Sequence, residues 1–89
     1  MVKEPFDING IRFVPIPELH ACFGVDRSGS VPELVFIRIA EDGSLEYPRA
    51  DGPFYAYLTT IDHDFSVNRL PKINAALGTN FTLDDFNLI

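Results

Sequence analysis

The sequence predicts an α+β domain: an antiparallel sheet of about four to five strands with one or two short C-terminal helices. Three observations carry this. Apolar residues alternate with period two in LVFIRIA (34–40) and FYAYLTTI (54–61). Asp42-Gly43 stands between such runs, and this pair tolerates the positive φ that a tight hairpin turn requires. After residue 68 the spacing becomes helical, with Leu70, Ile73, Ala76 and Leu77 sharing a face. A run of strands followed by helices indicates α+β, not alternating βα units. At 89 residues the chain reads as a single domain, 1–89, with strands within 11–61 and a helical segment over 68–89.

Taken in order, IRFVPI (11–16) starts as a strand, and Pro15 and Pro17 punctuate it. Proline donates no ladder hydrogen bond, so an edge strand or one that breaks up is expected. In HACFGVD (20–26), Ala21, Phe23 and Val25 fall on one face and His20, Cys22 and Gly24 on the other. Asp26–Ser30 is a turn cluster. In the next strand Val35, Ile37 and Ile39 oppose Leu34, Phe36 and Arg38. LEY (45–47) pairs back after the hairpin, and YPRADGP (47–53) is a longer loop. The run 54–61 is bulky on both faces, which suits a central strand or one covered by a helix or partner. Asn68 reads as the N-cap that places Pro71 in the first helical turn, and Gly78 as the residue that ends the helix. Thr82 then caps a last turn or two in TLDDFNLI, with Asp84 and Asp85 at the positive end of the helix dipole.

Composition narrows function. An apolar fraction of 46%, with eight Phe and three Tyr, describes a folded globule. No stretch approaches the roughly 18 apolar residues of a membrane span. The start, MVKEPFDING, does not read as a secretory signal, so a cytoplasmic protein is expected and the sequon at Asn80 is expected to go unused. The single Cys22 excludes an internal disulfide and a multi-cysteine zinc site. Thirteen acids against seven bases give a net charge of −6, which disfavours direct nucleic-acid binding and suits a basic protein surface.

Candidate chemistry is sparse. Alternation in Asp62-His63-Asp64 puts the histidine opposite its neighbours, so one ion cannot collect all three from a strand. As a calcium loop the stretch lacks the sixth-position glycine and the twelfth-position glutamate, which are Val67 and Ile73. A turn in which the carboxylates accept backbone N–H groups is the expected role. His20 and Cys22 would share a strand face, but no orienting group or oxyanion loop accompanies them. Neither a catalytic residue nor a cofactor or metal site is expected.

FVPIPELHACFGVDRSGSV (13–31) resembles the opening of the small module that precedes HNH homing endonucleases in phage and mobile elements. The matching residues are Phe13, Pro15, Ile16, Phe23, Val25, Asp26, Gly29 and Val31. The resemblance implies an association with DNA enzymes and mobile genomes, although the HNH histidines and a basic surface are missing. LPKINAALGTNFTLDDF (70–86) is similar to the end of a repressor-type helix-turn-helix domain, with nothing before it that reads as a recognition helix.

The leading expectation is a small acidic, non-enzymatic protein-binding domain of the inhibitor or immunity type, phage or bacterial, acting on a basic or nucleic-acid-handling protein. Its interface is expected to use Phe54, Tyr55 and Tyr57 with the acids Glu46, Asp51, Asp62 and Asp64. The alternatives are a nucleic-acid-associated accessory module related to homing nucleases, and a metal-dependent enzyme using Asp62, His63 and Asp64. An unpaired edge or the two-sided run 54–61 would also support a homodimer.

Overall fold

A computed structural model describes residues 3–48 and 54–89. It is an α+β fold: an antiparallel sheet of five strands curled as a half-barrel, with two short helices. The strands β1 (Phe6–Ile8), β2 (Ile11–Ile16), β3 (Ala21–Asp26), β4 (Glu33–Ile39) and β5 (Leu45–Glu46) follow one another across the sheet. The two-residue strand β6 (Ala56–Tyr57) pairs with β4 on the side that β5 also uses. β5 and β6 thus occupy successive stretches of the same edge of β4.

β1 lies outside the expected strand region, and its cause is local. Asn9 and Gly10 have φ of 52° and 79°, as a two-residue hairpin turn requires. β2 pairs with β1 over residues 11–13 and with β3 over residues 14–16, so the half that carries Pro15 is an edge, as expected. Its pairing with β1 ends at Phe13, so Pro15 pairs only toward β3 and removes no donor from the outer ladder. The Asp42-Gly43 hairpin forms as expected, with Gly43 at φ 86°.

Period-two alternation builds two cores, one on each face of the sheet. Phe23 and Leu34 point to the helical side, where they meet Ile61, Leu70 and Ile73. Phe13, Cys22, Val35 and Ile37 form the second core inside the curl, closed by Phe6, Ile8, Leu45 and Tyr55. Gly24 permits the curl. A Cβ there would lie 2.7 Å from the Arg12 carbonyl oxygen and 2.8 Å from Ile11 Cγ2, so the start of β2 crosses directly over it.

Three expectations are corrected. The run 54–61 is not a single strand: it follows β4 only as far as the hydrogen bond from Leu58 N–H to the Leu34 carbonyl oxygen. β4 begins at Glu33, so its edge ends there, and β7 (Thr60–Ile61) pairs instead, in parallel, with β8 (Asn87–Leu88). The helical region starts earlier than Asn68. α1 (His63–Asn68) is capped by Asp62, and Asn68 is its last residue. α2 (Leu70–Leu77) follows after Arg69, which has helical φ and ψ. Pro71 has no N–H to give the Val67 carbonyl, so an almost continuous helix is interrupted where the sequence suggested a beginning. Finally, Thr82 caps a single 3-10 turn, Leu83–Asp85, and the chain then becomes extended into β8. Gly78 ends α2 with φ 67°, as expected.

Candidate protein interface

The seven residues expected at the interface do not gather in one patch. Tyr55 is half-buried, with its ring 5.6 Å from that of the fully buried Phe13, and so belongs to the inner core. Tyr57 sits on the same face and stays 45% exposed. Its ring meets Tyr55 edge-on at 6.0 Å. Phe54 is 39% exposed and packs edge-on at 5.5 Å against Tyr47, which is 44% exposed. Asp51 lies outside the described residues.

The acids are spread. Glu46 is cross-strand from Arg38 and Ala56 from Phe36, so Glu46 shares the helical face and not the Tyr57 face. Its carboxylate lies 3.9 Å from Arg38 Nε, with both side chains well exposed. Asp62 Oδ1 accepts from Phe65 N–H at 2.7 Å and caps α1. Asp64 Oδ1 accepts from Asn68 Nδ2 at 2.6 Å. Both carboxylates thus serve their own helix, the local role expected of such a turn. Among the described residues no three His, Cys, Asp or Glu groups come together to hold a metal.

His20 and Cys22 are likewise separated. His20 ends a 3-10 turn over Pro17–Leu19 at φ 56° and is exposed. Cys22 is fully buried in the inner core, and burial pushes its thiol up to about 11, away from the reactive thiolate. The αL conformation of His20 takes it out of the strand alternation that would have placed the two together.

Two polar networks were not apparent in the sequence. Asp26, at the end of β3, accepts from Ser28 N–H at 2.9 Å and Ser28 Oγ at 2.6 Å through Oδ1. Its Oδ2 accepts from the Tyr57 hydroxyl at 2.6 Å. The Ser28 and Tyr57 hydrogen bonds hold the Asp26 carboxyl below the usual range. The same Asp26 contact pushes Tyr57 up to about 12. The turn pattern Asp26-x-Ser28 was visible, but its partner 31 positions away depends on the β4–β6 register. Asn74 is the centre of the second network: Nδ2 donates to the Phe81 carbonyl oxygen at 2.8 Å, and Oδ1 accepts from Phe81 N–H at 2.9 Å and Thr79 Oγ1 at 2.8 Å.

Tyr47, Phe54 and Tyr57 remain exposed beside β6, with Glu33 close enough to add to the upward shift of Tyr57. Among the described residues the one ion pair is Arg38–Glu46. No helix among the described residues is long and apolar enough to cross a membrane. Comparison with known proteins finds no family model, no curated protein and no solved structure that matches the chain.

Proposed function

We propose that the chain is a non-enzymatic protein-binding domain, of the inhibitor or immunity type, whose partner presents a basic surface. The observation that carries the reading is the edge-on pair Tyr47–Phe54, held at the rim of the sheet with about two-fifths of each ring's residue exposed. Aromatics left at a surface in a fixed geometry are effective anchors, because they offer large contact area at little entropic cost. The net charge of −6 favours encounter with a basic partner over a nucleic acid.

The test compares capture from host lysate by the wild type and by the double variant Tyr47→Ser/Phe54→Ser, with folding checked by circular dichroism. One protein captured by the wild type and lost with the folded variant supports the reading. Equal capture by both, or none by the wild type, removes it.

A further inference from the structure

Two adjoining clefts, of about 340 and 270 Å³, share Val31, Pro32, Phe81 and Asp85. Together they make one groove from Arg27 to Tyr57, between the loop preceding β4 and the segment that leads into β8. Its lining has an apolar component that the fold leaves open. Val31 is 65% exposed, and the half-buried rings of Phe81 and Phe86 lie 5.9 Å apart. Glu33 contributes a carboxylate from the start of β4, and Asp84 and Asp85 contribute two from the 3-10 turn. Asp85 uses Oδ2 to accept from Thr82 N–H. The carboxylates of Glu33 and Asp84 have no ion-pair partner among the described residues.

We propose that this groove takes an extended cationic peptide segment of a partner protein, the aliphatic stems of Lys or Arg lying on Val31, Phe81 and Phe86 and their charged heads reaching Glu33 and Asp84. The proposal rests on the protein-binding reading and specifies the partner's chemistry. Long basic side chains suit such a groove because their stems are apolar and only their tips are charged. A neutral apolar segment would cover Glu33 and Asp84 without compensating them, which costs free energy. An acidic segment or a phosphate backbone would be repelled. Arg27, at the far end, gives the groove a polarity and suits a carbonyl or carboxylate oxygen of the same segment.

The experiment titrates a capped hexa-arginine peptide, and separately a capped hexa-glutamate peptide, into the isotope-labelled full chain at low salt, followed by amide chemical shifts. The arginine peptide is expected to move Val31, Glu33, Phe81, Asp84 and Asn87, and the glutamate peptide none of them. The variant Glu33→Gln/Asp84→Asn should weaken binding by about threefold to tenfold, as expected for two largely exposed charge contacts. Shifts spread equally over Asp42, Asp62 and Asp64, affinity unchanged by the double variant, or no binding would each overturn the proposal. The titration reads the groove without the natural partner. If Glu33→Gln/Asp84→Asn leaves lysate capture intact while Tyr47→Ser/Phe54→Ser abolishes it, the groove assignment fails and the protein-binding reading stands.

Discussion

The Tyr57 hydroxyl donates to Asp26 Oδ2 at 2.6 Å and ties β6 to the far end of β3 across the intervening β4. β6 holds only two residues, so this side-chain bond supplements a short ladder at an edge of the sheet. It also fixes Tyr57 between the aromatic rim and the groove beside Glu33.

Replacing Tyr57 with Phe is therefore expected to lower Tm by a few degrees, with Asp26→Asn acting in the same direction and the two effects not additive. The pH dependence has a definite sign. Tyr57 is raised from 10.0 to about 12 in the fold, so its contribution is complete below pH 10 and is lost as pH rises toward 12. Asp26 is lowered from 3.8, so its contribution is present above that value and fades on acidification below it. Thermal melts of wild type and Tyr57→Phe across both limits check this: the gap between them should narrow at each end.

Gly24→Ala should destabilise by about 1–3 kcal/mol, the usual range for forcing atoms into a packed site. The obstructing atoms are the Arg12 carbonyl oxygen at 2.7 Å and Ile11 Cγ2 at 2.8 Å, and the first is backbone that moves only if β2 moves. Denaturant unfolding measures the loss.

Asn74→Ala should cost about 1–3 kcal/mol, because it leaves both backbone groups of the half-buried Phe81 without their Asn74 partner. Hydrogen exchange should show lost protection at Phe81 while the amides of β3 and β4 stay slow. Equal loss everywhere would mean that Asn74 supports the whole fold and not the loop that it holds.

Asp62→Ala should cost about 0.5–2 kcal/mol as a lost N-cap, and Asp62→Ser or Asp62→Asn should recover most of it. Added calcium, magnesium or manganese should leave the melting temperature of the wild type unchanged, since Asp62 and Asp64 already accept from Phe65 and Asn68. Calorimetry with and without the ions reads both.

Local physics made much of this fold legible. The alternation of Leu34 to Ile39 assigned each side chain to the correct face, and Asp42-Gly43 and Gly78 marked the hairpin and the helix end. Asn9-Gly10 carried an equally strong turn signal, which, joined with Phe6 and Ile8, would have predicted β1. What local patterns could not supply was pairing. Nothing in FYAYLTTI says that β4 begins only at Glu33, and hence that Thr60–Ile61 must find Asn87–Leu88 instead. Register also separates the residues expected at the interface. Tyr55, Tyr57 and Glu46 are close in sequence, but register sends Glu46 to the other face and Tyr55 into the inner core. The groove joins residues 27–33 with residues 78–87 and has no local signature at all.

Site-specific photocrosslinking in the host cell tests the central claim most directly, with a benzophenone side chain placed at Phe54 and, as a control, at Val67, which is 54% exposed on α1. A protein-binding domain that uses the aromatic rim predicts one discrete adduct from position 54, to a protein with a basic surface, and none from position 67. No adduct from position 54, or the same adducts from both positions, would contradict it.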